Sequence, residues 1–271
     1  MTAFLHLAAL AGYLGAWALS FRAFRAGGGS GEDLGWKLAV GAAGVHVAAL
    51  AAFTLEQGVL PLVGLGPASS TLALAIALLT LMASAREEVR PTVLFVLPLT
   101  VLLLAEAVAV GIRPVQPRTD FRGAWLAAHV GVLFVGYAGL SLASAAAAMY
   151  ALQFRALKRK RFGSVFSYFP SLDTLDRLNR VGLWIGFSGL TLGLLAGWGR
   201  TLTYGQGWEL GNPQVVFGVA TWVAYLGAIL VRVAPGGRGE RSALATTVAF
   251  VVTVAVFAVL RATAESAGFF L

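Results

Sequence analysis

Eight mostly apolar stretches of 18 or more residues follow one another along this 271-residue chain, at 2–24, 36–56, 68–85, 91–112, 124–152, 181–199, 213–233 and 242–262. None holds more than two charged side chains. A helix rising about 1.5 Å per residue crosses a hydrocarbon core of about 30 Å in about 20 residues, so each stretch has the length of a membrane span. The third is the shortest, and the fifth is long enough to continue into the aqueous phase. The breaks at 27–31, 64–67, 86–90, 113–122 and 235–241 are rich in Gly, Pro and charge. The chain is 58% hydrophobic and 12% charged, against about 45–50% and about 25% in a soluble domain. This excludes an ordinary soluble globule, a disordered chain and a disulfide scaffold, and leaves no polar stretch for a separate soluble domain. The expected fold is all-α: a polytopic membrane protein of eight transmembrane helices forming one integral membrane domain over 1–271. No positive segment precedes the first stretch, which reads as a retained helix rather than a cleaved signal.

Charge gives the orientation. Of the 20 basic residues, 15 fall in odd-numbered connections and 5 (Arg113, Arg118, Arg122, Arg200, Arg261) fall in even-numbered ones or near a terminus. The positive-inside rule then puts odd connections in the cytoplasm and both termini on the extracytoplasmic side. The excess of positive charge is a topology signal, so the bilayer is the expected partner and nucleic acid is not. The segment 155–180 is a cytoplasmic basic linker: a cluster at 158–161, then Phe162, Val165, Phe166, Tyr168 and Phe169, then a short helix over 172–180 with Ser171 as N-cap and Asp173 in its first turn. It reads either as an interfacial anchor or as a docking surface for a cytoplasmic protein or anionic lipid.

The three histidines, His6, His46 and His129, all lie inside apolar stretches, and Glu106 is the one carboxylate well inside a span. An ionisable side chain there is costly and marks a candidate functional site. At about 1.5 Å per residue, His6, His129 and Glu106 lie about 8–9 Å from the outer edge and His46 about 15 Å. Neutral imidazoles in a dry site serve proton relays, transition metals and haem iron. There is no cysteine, and a zinc site would want more ligands, with carboxylate or thiolate among them. Two imidazoles from different helices suit haem, with His46 and His129 on the iron and His6 nearby. Walls of small residues flank both, at Gly41, Ala42, Ala43, Gly44, Ala48 and Ala49, and at Ala127, Ala128, Gly131 and Gly136; such residues also serve close helix packing. Haem propionates need cations, for which Arg200 and Arg261 stand on the outer side. Glu106 is placed to orient a histidine through its second N–H. No nucleophile–base pair, glycine-rich phosphate loop or HExxH occurs, so no enzymatic activity is expected. Pro98 and the glycines of the sixth span are the only hints of the broken helices a transporter would use.

The run Val45-His46-Val47-Ala48-Ala49-Leu50, with Gly58 and Pro61 downstream, resembles the second helix of HemX-type proteins. Trp125-Leu126-Ala127-Ala128-His129-Val130, then Tyr137-Ala138-Gly139-Leu140 and Ala148-Met149-Tyr150-Ala151-Leu152-Gln153, is similar to their fifth. Phe169-Pro170-Ser171-Leu172-Asp173-Thr174-Leu175-Asp176-Arg177-Leu178 is similar to the linker before their sixth helix, and Gly237-Arg238-Gly239-Glu240-Arg241 to the turn before their eighth. The order and spacing of these runs resemble the cytochrome c assembly (CcsA-like) superfamily, HemX-like branch. The resemblance implies an eight-helix haem-handling protein of the bacterial inner membrane, holding haem b non-covalently. His129 falls on the family's outer haem-ligating histidine and His46 on an intramembrane one; His6 has no counterpart. Cytochrome c synthetases of the superfamily carry an external Trp-Gly-x-x-Trp-x-Trp-Asp segment; here only Trp198, Trp208 and Glu209 remain of it. That departure favours the HemX-like branch, thought to bind or move haem and to influence glutamyl-tRNA reductase. Haem transfer, cytochrome c maturation with its partner proteins, and regulation of haem synthesis are the functions implied. The alternatives are a haem or small-molecule exporter, and a membrane anchor for glutamyl-tRNA reductase that binds no haem.

Overall fold

A computed structural model describes residues 1–28, 30–114, 123–160, 163–203 and 212–267, with side chains omitted at 30 and 263–267. Its helices are α1 (Thr2–Ala26), α2 (Ser30–Gln57), α3 (Leu65–Ala83), α4 (Thr92–Val110), α5 (Ala124–Lys158), α6 (Ser164–Tyr168), α7 (Leu172–Thr203), α8 (Pro213–Val233) and α9 (Glu240–Ala267), with a 3-10 turn at Glu87–Val89. All but α6 are long and apolar enough to cross a membrane. The all-helical, eight-span expectation holds among the described residues. Boundaries follow local chemistry. Gly27 closes α1 in the left-handed region at φ 80°, where a side chain would be strained. Asn212 caps α8 by accepting the Gln214 backbone N–H at 2.9 Å, with Pro213 at the first helical position. Pro98 sits inside α4 without ending it.

One expectation changes. The short linker helix and the sixth span are a single helix, α7, capped as foreseen by Ser171, whose Oγ accepts the Thr174 N–H at 3.2 Å. Nothing between Arg180 and Val181 interrupts helical hydrogen bonding, so a boundary drawn at the hydropathy change has no backbone counterpart.

The chain divides into two compact units: Met1–Gln116 with Met149–Leu175, and Pro117–Ala148 with Asp176–Leu271. In the first, α1 packs on α2 and α4, and α3 on α4. Its core includes Ala9, Tyr13, Ala16, Ala42, Leu74, Leu97 and Leu104. Ala42 is used for close approach: a methyl on Gly12 would fall 2.8 Å from its Cβ. The linker aromatics are spent here too. Tyr168 and Phe169 are buried, Phe169 stacks on Phe24 at 5.7 Å and meets Phe95 edge-on at 5.4 Å, and the Tyr168 hydroxyl donates to the Ser20 carbonyl. Burial pushes the Tyr168 phenol above its usual range, so it stays a donor. Phe162 and Arg161 lie outside the described residues.

The second unit is built on a seam of glycines. A methyl on Gly139 would fall 2.7 Å from the Gly186 nitrogen, one on Gly182 2.8 Å from the Ala143 nitrogen, and one on Gly189 2.8 Å from the Gly136 Cα. Backbone meets backbone between α5 and α7, the small-residue packing that association in lipid favours. Leu140, Leu183, Leu190, Tyr225 and Ala228 form the core beside it. At one end Arg232, 7% exposed, pairs with Asp176 at 2.8 Å and donates to Asn179 and Ser242 at 3.0 and 2.8 Å. Asn179 in turn donates to the Ala143 carbonyl and to Thr246. A charge this buried is held by a fully satisfied network.

Candidate functional site

In the first unit, α1 brings His6, α2 brings His46 and α3 brings Ser70 to one point. His6 Nε2 lies 3.1 Å and His46 Nε2 2.9 Å from the same Ser70 Oγ. The two rings are 5.7 Å apart and nearly perpendicular. His6 Nδ1 reaches the Thr2 carbonyl at 2.8 Å, and His46 Nδ1 faces the Tyr13 hydroxyl at 3.5 Å. His6, His46, Ser70 and Tyr13 are each 0% exposed. All four ring nitrogens therefore have protein partners in a dry interior. Glu106, on α4, accepts from Ser69 at 3.4 Å; the two rings themselves contact a carbonyl and two hydroxyls. Beyond the buried group, the Thr2 hydroxyl donates to Glu56 at 2.6 Å.

His129, in the second unit, is built differently. It lies flat on Trp125, one turn earlier on α5, with centroids 5.1 Å apart and planes within 7°. Arg200 of α7 stands over the Trp125 ring, its guanidinium carbon 5.2 Å from the centroid, within the range of a cation–π contact. Gly197 of α7 faces the nitrogen-bearing edge of the imidazole: a methyl there would lie 3.1 Å from Cε1 and 3.8 Å from each nitrogen. His129 Nδ1 is buried with no partner at full hydrogen-bond geometry, and the Gly193 backbone lies beside the ring as a weaker hydrogen-bonding contact. The ring is half-buried, unlike those of His6 and His46.

The foreseen residues fall in both units. His6 and His46 share a hydroxyl, and His129 gathers Trp125, Gly197 and Arg200. Trp198 is half-exposed on α7, Arg261 is half-buried near the end of α9, and Trp208 lies outside the described residues. Gly41, Gly44 and Gly131 have open space where a side chain would be, whereas Gly136 is consumed by the seam. Tyr13, Ser70, Trp125 and Gly197 were not singled out in the sequence. The spacing of Trp125 and His129, four apart on a helix, is the one signal that pointed to a pair. No group of three or more His, Cys, Asp or Glu side chains suited to a metal ion occurs among the described residues.

The sequence model of the family described as "Cytochrome C assembly protein" matches residues 42–264, a span that holds both His46 and His129. The chain belongs to this cytochrome c assembly family. Among curated relatives it is similar to "Cytochrome c biogenesis protein CcsA" of Guillardia theta, 27% identical over 60% of this chain and 58% of the relative. It is similar to the same-named protein of Prochlorococcus marinus (strain MIT 9312), 29% identical over 50% of each chain, and of Chlamydomonas reinhardtii, 28% identical over 47% of this chain and 35% of that one. The family member described here thus spans about half the length of the relatives it matches. No solved structure matches it. Membership agrees with a multi-pass membrane protein, as its eight apolar helices indicate.

Proposed function

We propose that this protein is a non-enzymatic haem handler serving cytochrome c maturation, close to the HemX-like branch. It would sit in a bacterial inner membrane with both termini outside and hold haem b non-covalently. The observation that carries this reading is the His129 cluster. It combines a half-buried imidazole, an aromatic platform stacked on it and a guanidinium over that platform. Those donors fit haem: a neutral imidazole suits iron, and Arg200 suits a propionate carboxylate. Bound haem would supply the iron centre to be passed on. The protein's own residues would hold the ring, exclude water from it and place its carboxylates. Relatives named for cytochrome c biogenesis support the assignment.

The test is absorbance of the full chain in detergent, titrated with haemin. A saturable Soret band that His129→Ala removes is the expected result; a chain that takes up no haemin rejects the reading. A second reading, regulation of haem synthesis through glutamyl-tRNA reductase, is favoured by the exposure of Arg155, Lys158, Arg159 and Lys160 beside an exposed Phe166. It predicts capture of that enzyme, lost when the basic cluster is neutralised and retained without the histidines.

A further inference from the structure

In the first unit the linker folds back to the level of the spans. The Tyr168 hydroxyl donates to the Ser20 carbonyl, inside the apolar stretch of α1 and well before that helix ends at Ala26. Phe24 packs on both Tyr168 and Phe169. A methyl on Gly27 would fall 3.2 Å from the Ser167 hydroxyl, so α6 lies against the end of α1. Gly163 opens α6, and three residues of chain reach at most about 11 Å. Lys160 and the basic cluster before it are therefore tethered close to this contact.

The ends of α1 and α5 expose six cations: Arg22, Arg25, Arg155, Lys158, Arg159 and Lys160. Arg155, Lys158 and Arg159 stand three and four residues apart, on one face of α5. Neither α1 nor the segment 149–172 contains an Asp or Glu, and among the described residues none of the six forms an ion pair. Elsewhere in the same unit Lys37 and Arg90 both pair with Asp33. Lys160 takes φ 53°, the left-handed conformation that glycine adopts at a helix end without strain; a cation stands there instead. Phe21, one turn before Arg25, is 40% exposed, and Phe166 is 45% exposed. Unpaired cations beside exposed rings, at the end of membrane spans, match a surface of phosphodiesters over an acyl boundary. A soluble acidic protein would answer the charge, but Phe21 lies within the apolar stretch of α1, beyond its reach. We infer that the last turn of α1, the end of α5 and α6 form one binding surface for anionic phospholipid. Phe21 and Phe166 sit at its acyl boundary, and the six cations meet the phosphodiesters. This stands apart from the haem reading, which rests on the second unit, and it gives the basic cluster to lipid instead of to a captured enzyme.

Phosphatidylglycerol is the probe, with phosphatidylcholine as the neutral comparison, in nanodiscs holding the full chain. Phe166→Trp puts a fluorophore on the surface, read as the difference from the wild-type chain with its seven tryptophans. Brominated phosphatidylglycerol is expected to quench that difference at an about tenfold lower mole fraction than brominated phosphatidylcholine. Arg22→Gln with Arg25→Gln, and Lys158→Gln with Arg159→Gln, should each cut the preference about threefold, and about 0.5 M salt should remove it. Lys160→Gly separates recognition from packing. It should raise the unfolding midpoint in neutral lipid, by relieving the left-handed cap, while lowering the preference about twofold. Equal quenching by the two lipids, or a preference that survives both double replacements, overturns the inference. An added tryptophan that neither lipid quenches places the linker in water, overturns it as well, and returns the basic cluster to a soluble partner. A preference abolished by millimolar inorganic phosphate would mark a site for a free anion and overturn the lipid surface.

Discussion

The two histidine clusters show how differently one membrane chain treats the same side chain. In the first unit the imidazoles are closed into a chain of hydrogen bonds with no exposed atom. In the second, His129 is held by stacking on Trp125 and by close packing on Gly197. Hydrogen bonds that consume every donor specify a structure and leave nothing to offer a ligand. A ring fixed by stacking and shape depends instead on the neighbours packed against it. Conservative changes at each cluster sharpen the contrast.

The largest effect is expected from Ser70→Ala. It strands the two ring nitrogens that share its hydroxyl, at about 1–3 kcal/mol each, and should lower the unfolding midpoint in detergent with haemin uptake retained by the molecules still folded. Equal loss of stability and haem affinity would abolish the distinction between the clusters. Trp125→Ala should act the other way round. It removes the stacking platform and the seat of Arg200, together about 1–2 kcal/mol, and haemin should bind about tenfold more weakly in titration. Gly197→Ala comes next. Its methyl would meet His129 Cε1 at 3.1 Å, so the ring must shift by tenths of an ångström against Trp125, for about 1 kcal/mol and a change in tryptophan fluorescence. The smallest effect is expected from Thr2→Val, which deletes the exposed hydroxyl bond to Glu56 but keeps the carbonyl that orients His6. A stability change beyond about 0.5 kcal/mol would show that the His6–Ser70–His46 cluster draws on the surface bond as well.

Much of the architecture was legible because hydropathy over about 20 residues reports the bilayer, and spans follow. Side-chain partners were less so. Serine and threonine in apolar helices usually bond a carbonyl four residues back, as Ser20, Thr54, Thr80, Ser141, Ser144, Thr191, Thr247 and Thr253 do here. Nothing in the sequence distinguishes Ser70 from these. The meeting of His6 and His46 was closer to reach. They stand 20 residues before the end of α1 at Ala26 and 16 after the start of α2 at Ser30, which puts them about one helical turn apart in height on neighbouring helices. Estimating depth from the outer edge instead of from the shared turn hid that neighbourhood. Trp125 was quoted within a motif, yet its role depends on the rotamer that lays it against His129, which spacing permits but does not dictate.

The glycine seam between α5 and α7 has a practical corollary. Its contacts are main chain to main chain, as where a methyl on Gly139 would sit 3.0 Å from the Gly182 oxygen, so their strength owes little to whatever greasy molecules surround the protein. Swapping native lipid for micelle or nanodisc should therefore leave that helix pair clasped.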